Sequence, residues 1–497
     1  MSIHLKLILV ALFASLAFDH SLCVFLSIDC GSSESYTDEN SIEWVGDDAY
    51  IQNGESKVVQ FSSSEAYPMS TLRVFPTGKK KNCYTIKVDE GERVLVRASF
   101  NYDNYDGKLS PPTFDLQFDG NFWATVNTST TFSVISHEAI YVVKRNFTSI
   151  CVAQTHPGQL PFISALEIRS LDANMYGSVH PNFALLLVVR AALGANETNI
   201  RYPVDPYDRI WEAATGAFGL TTVSNEASSI KVTTPPDNPP PLVLQNAKAV
   251  SASIVPTFGA ASEVYIANRI ASASNQISLL ADDDSTLPPL INAMEVYTLS
   301  GELTNGTNAK DVVGLGLLQN GFEVLKGWNG DPCLPSPYSW DWIDCNSDDM
   351  PRVTAVNLSG YDLAGSVPDF SSMDALQTID LSDNNLDGPI PDFLGNLPES
   401  STIPPHPARP AQLGRVQQHP EQARPLTQQP PAQLIKAQAQ QQPQQSKLKH
   451  PQAQPENETP PLAFQNTSDF IVNNKLAMTL GVLIQLLVSL SVLIGRF

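Results

Sequence analysis

Positive charge is scarce in this chain. Its 497 residues include 30 Lys and Arg against 51 Asp and Glu, so the formal net charge is -21 at pH 7. An acidic surface argues against binding to a nucleic-acid backbone and against attraction to an anionic lipid surface. It also repels polyanions such as pectin, so any contact with a wall polymer has to be local. We therefore expect no nucleic-acid partner.

Motifs of catalysis are also missing. The sequence has no Gly-x-Ser-x-Gly elbow and no Walker or kinase glycine-rich loop, and its 8 histidines are isolated. The run Asp282–Asp284 lacks the alternating ligand spacing of a calcium loop, and the many carboxylates single out no glycosidase pair. We expect a protein that is not an enzyme and has no catalytic residue, cofactor or metal. A glycan-active hydrolase is the enzymatic alternative.

Cysteine is scarce too, with 6 residues. Residues 1–23 have the layout of a cleavable secretory signal, in which Lys6 precedes the apolar run Leu7–Phe18. The alternative is a membrane helix at the start of the chain, but the run is too short to span a bilayer. Cleavage would leave Cys30, Cys83, Cys151, Cys333 and Cys345. Because this number is odd, at least one cysteine is unpaired or pairs between chains.

Entry into the secretory route makes Asn-x-Ser/Thr sequons usable. Seven sequons are spread along the chain and support one another: Asn127, Asn146, Asn196, Asn305, Asn357, Asn457 and Asn466. We expect a glycoprotein that faces the outside of the cell.

The far end of the sequence predicts membrane attachment. Residues 476–495 carry no charge and are about long enough to cross a bilayer, and Arg496 and Phe497 follow. The small residues Asn466–Ser468, a polar spacer and this apolar run fit a GPI-attachment signal. A plain transmembrane anchor is the alternative. Either anchor would place the protein on the extracellular side of the plasma membrane.

An internal repeat predicts two similar lobes, over residues 25–175 and 185–310. The segment 37–44 matches 204–211 at an offset of 167, and 161–171 matches 289–299 at an offset of 128. The second copy is therefore 39 residues shorter between equivalent markers. Short alternating apolar runs separated by Gly, Asn, Asp and Pro predict β-sandwiches in both lobes.

The shortening can be placed along the second lobe. The segment 94–100 resembles 264–270, so the missing stretch lies after about Tyr265. Its counterpart in the first lobe includes Phe114–Gly120, which reads as a strand and a turn. Loss of several strands would leave unpaired strand edges, and an altered transcript is one explanation.

A second kind of repeat lies within residues 311–398. Val356, Leu358, Leu363, Gly365 and Pro368 recur 23 positions later. This period is typical of a leucine-rich repeat, in which Asn384 would cap backbone groups of the turn. Two to three repeats are too few for an independent solenoid, so we expect this unit to lean on its neighbour or to dimerise. Residues 399–470 are rich in Pro and Gln and predict a disordered stalk.

The residues also resemble a known family. The segment 327–345, GWNGDPCLPSPYSWDWIDC, is similar to the Gly-Asp-Pro-Cys junction of plant malectin-like/leucine-rich-repeat receptor kinases. SIDCG at 27–31, YDRIW at 207–211, PPLVLQNA at 240–247 and INAMEV at 291–296 resemble the same family. The similarity covers roughly residues 25–398. The chain looks like the ectodomain of such a receptor without the kinase.

This resemblance implies two tandem malectin-like β-sandwich lobes followed by a disulfide-capped leucine-rich-repeat segment. It places Cys333 and Cys345 as the disulfide of the cap, beside Trp340 and Trp342. A bridge that closes a short loop would protect the open end of a solenoid. A zinc site is the competing interpretation, but no further Cys or His stands nearby at ligand spacing.

A candidate ligand loop follows a strand in the first lobe. Malectin itself binds a short glucan through aromatic residues and an acid on loops at one sandwich edge, and sugar sites need both types together. Residues 100–106 offer this combination, with Tyr102, Asp103 and Tyr105 as candidate ligand-binding residues. The alternative is a structural turn rich in Asn and Asp.

We therefore expect a non-catalytic cell-surface receptor-like protein. It would recognise a carbohydrate or peptide ligand outside the cell and act through a partner receptor kinase or co-receptor at the membrane. The alternative is a structural or wall-adhesion protein, in which the stalk projects a lectin-like head and no signal follows.

Overall fold

The structure is a computed structural model that describes residues 23–60, 67–76, 78–128, 134–193, 195, 198–214, 222–224, 237–249, 261–269, 290–396 and 488–495. These residues are mostly β, as the alternating apolar runs predict. Thirteen strands precede residue 175: β1 Phe25–Asp29, β2 Tyr36–Thr37, β3 Glu43–Gly46, β4 Glu55–Val58, β5 Thr71–Val74, β6 Lys81–Ile86, β7 Arg93–Phe100, β8 Thr113–Phe118, β9 Asn121–Asn127, β10 Ile135–Val142, β11 Thr148–Gln154, β12 Phe162–Ile163 and β13 Ala165–Ser170. A short 3₁₀ helix spans Tyr67–Met69.

The strands before residue 175 enclose one large apolar core. The sheet β6-β11-β8-β9 and the sheet β12-β5-β4 face the strands of a larger sheet that includes β10, β7, β13 and β1. Fully buried aromatic side chains fill the space between them, among them Phe100, Phe114, Phe118 and Phe162. Alternate residues of each strand point inward, so burial of these side chains fixes the strand register.

The following region contributes strands to the same large sheet. Its elements are β14 Leu185–Leu193, β15 Glu212–Ala214, β16 Thr222–Ser224, helix α1 Pro241–Gln245, β17 Asn246–Ala249, β18 Ala261–Arg269, β19 Leu290–Ile291 and β20 Ala293–Leu299. Strand β14 pairs with β10 at Ala139↔Leu186 and Ile140↔Leu185, so one sheet runs through both parts of the chain. Strand β18 lies where the resemblance of 264–270 to β7 predicts one. Residues 270–289, where the shortening was placed, lie outside the described residues.

The internal repeat recurs in the hydrogen bonds. Trp44 Nε1 donates to Asp38 Oδ2 at 3.0 Å, and Trp211 Nε1 donates to Asp205 Oδ2 at 2.8 Å. The strand pairing repeats as well, because β1 pairs antiparallel with β13 as β14 does with β20. Residues related by the two sequence offsets therefore make equivalent hydrogen bonds and strand pairings.

The next segment begins with a helix and continues into parallel strand pairs. Its elements are α2 Ala309–Gly321, a 3₁₀ helix Glu323–Leu325, β21 Ile343–Cys345, β22 Val353–Asn357, β23 Ala364–Gly365, β24 Thr378–Asp380, β25 Asn385–Leu386 and a 3₁₀ helix Asp392–Asn396. Strand β22 pairs parallel with β24 at Val356↔Ile379, which preserves the 23-residue period. Asn384 makes the turn contacts expected of it, since its Oδ1 accepts from Leu363 N at 2.9 Å and its Nδ2 donates to Leu358 O at 2.7 Å.

Helix α2 closes the core of this segment. Its side chains Leu315 and Leu318 pack in one cluster with Trp342, Val356 and Leu363. Asn308 caps the helix, because its Oδ1 accepts from Lys310 N at 3.0 Å. The parallel strand pairs are thus covered by a helix of the same segment.

Two disulfides lie in the described part of the chain. Cys333–Cys345 is the pair that the family resemblance implies, and Cys83–Cys151 joins the neighbouring strands β6 and β11. Cys30 is a buried free thiol and Cys23 an exposed one. Cys30 is therefore the unpaired member of the five cysteines that follow the predicted leader.

Part of the predicted anchor is described as a strand. Residues Val488–Gly495 form β26, which pairs with β18 and β20 in the large sheet. Among the residues that the structure describes, no helix is long and apolar enough to cross a membrane. The stalk and residues 476–487 lie outside the described residues, so the anchor remains a prediction.

Candidate functional site

The loop predicted to bind a ligand is largely buried. Tyr102 is 2% exposed and Asp103 6% exposed, and Tyr105 is half-buried. The Tyr102 hydroxyl donates to Asp106 Oδ1 at 2.7 Å and accepts from Ser110 N at 3.1 Å. Both tyrosine rings pack on Phe162 in the core. Tyr102 and Asp103 thus make the contacts of a structural turn, and the assignment of Tyr102, Asp103 and Tyr105 as ligand contacts stays a prediction.

A row of buried side chains with alternating charge runs across neighbouring strands of the large sheet. Along neighbouring strands the row reads Glu295, Arg190, Glu138, Arg97 and Glu167. Arg190 lies 2.7 Å from Glu138, and Arg97 lies 2.9 Å from Glu138 and 3.1 Å from Glu167. All five side chains are buried. Arg190 lies on β14 and Glu138 on β10, so this pair spans the strand junction between the two predicted lobes.

The segment Arg201–Trp211 covers this row and adds four further charges, and Arg169 of β13 adds a fifth. Asp208 lies 2.8 Å from both Arg169 and Arg201, and its backbone oxygen accepts from Arg97 Nη2 at 2.7 Å. Burial raises the pKa of Asp208, but the surrounding arginines outweigh it and leave the pKa below its ordinary value. Five arginines and five carboxylates thus lie together in one network, in which the Tyr176 hydroxyl joins Arg209 to Glu295 and Arg201 is partly exposed: Arg97, Arg169, Arg190, Arg201 and Arg209 with Glu138, Glu167, Asp205, Asp208 and Glu295.

The motifs that carry the family resemblance lie in and around this network. YDRIW supplies Asp208, Arg209 and Trp211, and INAMEV supplies Glu295. PPLVLQNA supplies Val243 and Leu244, which pack on Trp211. These motifs therefore join the two halves of the large sheet.

The Gly-Asp-Pro-Cys motif forms a second contact, between the first sandwich and the cap. Asp331 accepts from Thr307 N at 2.8 Å, Cys333 N at 3.1 Å and Leu334 N at 3.0 Å, and also from the Thr307 hydroxyl. Arg145 of the first sandwich lies 3.7 Å from the same carboxylate. One side chain thus fixes two chain segments against the sandwich.

Three consecutive lysines of the first sandwich meet the cap. Lys79 donates to Gly327 O and lies over the Trp328 ring, and Lys81 donates to the backbone oxygens of Asp331 and Leu334. Lys80 lies 3.8 Å from Asp341. Burial lowers the pKa of Lys81 to about 8. Gly330 packs against the Cys83–Cys151 disulfide, where a Cβ atom would lie 2.4 Å from Cys83 Sγ.

A cleft of about 450 Å³, including its open mouth, lies beside this contact. It is lined by the aromatic residues Phe118, Tyr141 and Phe147, by charged residues that include Asp119, Lys144 and Arg145, and by the segment 303–306. Lys144 donates to Leu303 O at 2.8 Å and to Asn305 Oδ1 at 3.0 Å. Asn121 Oδ1 accepts from Thr304 N at 2.9 Å. Much of the polar capacity of the cleft is therefore used to hold the linker to the sandwich.

Asp119 is a partly buried acid of the cleft, beside the buried Asp331. Burial raises its pKa to about 6, against hydrogen bonds from Ser149 and Thr148 that lower it. A carboxyl whose folded pKa lies above its unfolded value binds its proton more tightly in the folded state. Its contribution to stability is therefore greatest below about pH 4 and falls as pH rises from about 4 to 6.

Replacement of Asp119 by Asn should flatten this part of the pH profile. We expect Asp119→Asn to gain roughly 2 kcal/mol relative to the wild type between pH 4 and pH 7, because the amide keeps acceptor capacity and never ionises. Urea unfolding at pH 4 and pH 7 measures the difference. If the free energies of unfolding of the two proteins changed in parallel with pH, burial of this carboxylate would not cost stability.

Four of the seven predicted glycosylation sites can be placed. Asn127, Asn146, Asn305 and Asn357 all have exposed side chains. Asn305 lines the cleft, and Asn146 follows directly after the cleft residue Arg145. Asn196, Asn457 and Asn466 lie outside the described residues, as does the run Asp282–Asp284.

Comparison with known proteins agrees with this architecture. Residues 28–258 match the malectin-like domain family. A probable leucine-rich-repeat receptor-like serine/threonine-protein kinase of Arabidopsis thaliana is 32% identical over 416 residues, which are 71% of this chain and 48% of that protein. An uncharacterized Arabidopsis protein is 35% identical over 335 residues, which are 57% of this chain and 66% of that protein.

A solved structure overlaps part of the chain. The extracellular domain of ANXUR1 from Arabidopsis thaliana superposes with a TM-score of 0.40 and 17% identity, over 46% of this chain and 67% of that one. The described part of the protein is a β-sandwich scaffold with buried ion pairs across its large sheet. The chain carries a malectin-like domain and is similar to a plant leucine-rich-repeat receptor-like kinase, of whose length it spans about half.

Proposed function

We propose that this chain is a non-catalytic cell-surface receptor-like protein that recognises a carbohydrate or peptide ligand outside the cell and acts through a partner receptor kinase. The observation that carries the proposal is the 416-residue similarity to a receptor-like kinase, which includes the malectin-like domain. The buried charge row and the Asp331 contact support it, because they hold the large sheet and the cap in one conformation before any ligand binds.

The proposed organisation follows the boundaries expected from the sequence. A leader at 1–23 precedes malectin-like lobes at 25–175 and 185–310, a leucine-rich-repeat segment at 311–398, a stalk at 399–470 and an anchor at 476–495. The repeated Asp–Trp hydrogen bonds support the tandem lobes, and the 23-residue parallel pairing supports the leucine-rich repeats. The anchor is a GPI attachment or a single transmembrane helix, and release by phosphatidylinositol-specific phospholipase C distinguishes the two.

Co-purification tests the receptor role. The full chain, tagged after the predicted leader and expressed in plant cells, should be recovered from mild-detergent extracts of plasma membrane together with a receptor kinase. The expected partner survives a wash at moderate salt and is lost when the head is deleted. Repeated recovery of the protein with no membrane kinase would count decisively against this proposal.

The alternative, a wall-adhesion protein, makes the stalk indispensable. A variant in which residues 399–470 are replaced by a neutral linker of equal reach is the discriminating control. The receptor proposal predicts that the kinase still co-purifies with this variant. An adhesion protein would lose its attachment to the wall fraction in the same variant.

A further inference from the structure

The mouth of the cleft carries a predicted glycosylation site that the fold holds rigidly. The sequon is Asn305-Gly306-Thr307, and each of its residues is fixed by a neighbour. Lys144 Nζ donates to Asn305 Oδ1 at 3.0 Å, and Arg145 Nη2 donates to the backbone oxygens of Asn305 and Thr307 at 3.0 and 3.1 Å. At Gly306, where φ is +80°, a Cβ would lie 2.1 Å from Arg145 Nη2 and 2.7 Å from Asp331 Oδ2, so a side chain there would displace the arginine.

These contacts determine where a sugar on Asn305 would lie. The Asn305 side chain is exposed and lines the cleft, while its oxygen is already held by Lys144. The amide nitrogen, to which an N-glycan is joined, makes no hydrogen bond within the described part of the chain. The first N-acetylglucosamine would therefore begin at the mouth of the cleft and has little freedom to leave it.

The lining of the cleft suits a sugar ring. Phe147 is half-buried in the cleft and presents an aromatic ring, and Lys144 and Asp119 lie among the polar lining residues. A sugar needs an aromatic surface for its apolar face and polar groups for its hydroxyl and acetamido groups. The cleft supplies the aromatic surface of Phe147 beside a covalent attachment point.

We infer that Asn305 is N-glycosylated and that its first N-acetylglucosamine packs over Phe147, closing the cleft and covering the contact between the linker 303–307 and the first sandwich. The cleft is then occupied by the protein's own glycan and is closed to a soluble ligand. The inference rests on the secretory route in the proposed function. It goes beyond that proposal because it assigns one sequon a structural role that the others lack.

Hydrogen exchange of differently glycosylated forms tests this role. The full chain is produced in a secretory host with mannosidases inhibited, and part of it is trimmed with endoglycosidase H, which leaves one N-acetylglucosamine at each site. Exchange is compared at residues 303–307 in the intact protein, the trimmed protein, Asn305→Gln and the matched control Asn127→Gln. We expect the intact protein, the trimmed protein and the Asn127→Gln control to exchange at the same rate. Asn305→Gln should exchange roughly threefold faster or more.

Phe147→Ala tests the sugar contact without removing the hydrogen bond from Lys144 to Asn305, which Asn305→Gln loses. It keeps Asn305 and leaves the sequon at Asn146 intact. We expect it to speed exchange at 303–307 in the glycosylated protein and to add nothing in the Asn305→Gln background. Additive effects of the two changes would overturn the inference, as would loss of protection on trimming to one sugar. Peptide mass spectrometry distinguishes the remaining failures. An unoccupied Asn305 beside an occupied Asn127 overturns this inference alone, while bare asparagines throughout overturn the secretory route as well.

Discussion

Arg190→Met is expected to lower the free energy of unfolding by about 3–5 kcal/mol, the usual cost of removing one partner from a buried ion pair. Arg190 is 1% exposed and lies between Glu138 and Glu295, which are also buried. Burial raises the pKa of Glu138, but Arg190 and Arg97 outweigh it and hold the pKa below its ordinary value. In the variant, burial is opposed by Arg97 alone at Glu138, so the pKa of this carboxyl should rise.

The matched control is Lys310→Met, which removes a cation from an exposed ion pair. The side chains of Lys310 and Asp374 are 61% and 51% exposed, so this change should cost less than about 1 kcal/mol. Urea unfolding of the two variants at one pH measures the difference. The junction between the two halves of the sheet should also open first in Arg190→Met, with faster hydrogen exchange in β10 and β14. Equal stabilities for the two variants would show that the charge row does not hold the halves together.

Much of this scaffold could be predicted from the sequence because it repeats. The offsets of 167 and 128 residues predicted equivalent positions, and the Asp38–Trp44 and Asp205–Trp211 hydrogen bonds show that the equivalence is physical. The 23-residue period likewise predicted Asn384 as a turn cap. Repeats can be recognised because the same local structural requirement appears once in each copy.

The charge row was missed because its members are distant in sequence and meet only through strand register. Glu138 is adjacent to Arg97, 41 residues away, and Glu295 pairs with Arg190, 105 residues away. A signal was present nevertheless. Arg97 interrupts the apolar run VLVRASF, and a charge inside a strand buried on both faces requires a partner.

The burial of Tyr102 and Asp103 in the candidate ligand loop was missed for the opposite reason. Composition at 100–106 indicated a surface suited to sugars, but composition carries no information on exposure. Tyr102 and Tyr105 face the core because Phe100, Phe114 and Phe162 form an aromatic cluster immediately beside them. Tyrosine offers an apolar ring with one polar atom, so it serves a buried turn as well as an exposed site.

Gly330→Ala is expected to lower the free energy of unfolding by about 2–4 kcal/mol and to loosen the cap from the first sandwich. Gly330 has a φ of +77°, so any side chain pays the cost of a left-handed backbone conformation. The new Cβ would also lie 2.4 Å from Cys83 Sγ and 3.0 Å from Cys151 Sγ. A disulfide in the strands β6 and β11 cannot move aside without moving both strands, so the cap has to shift instead.

Gly360→Ala separates these two costs. Gly360 has a φ of +70°, but no atom lies within 4 Å of a Cβ built there, so this variant pays the backbone cost of roughly 1 kcal/mol alone. The difference between the two variants therefore measures the contact with the disulfide. Limited proteolysis of the linker near residue 305 should accelerate in Gly330→Ala and remain unchanged in Gly360→Ala. Identical unfolding midpoints and cleavage rates would mean that the Gly-Asp-Pro-Cys motif does not hold the cap on the sandwich, because the fixed position of Gly330 against the disulfide is what that contact depends on.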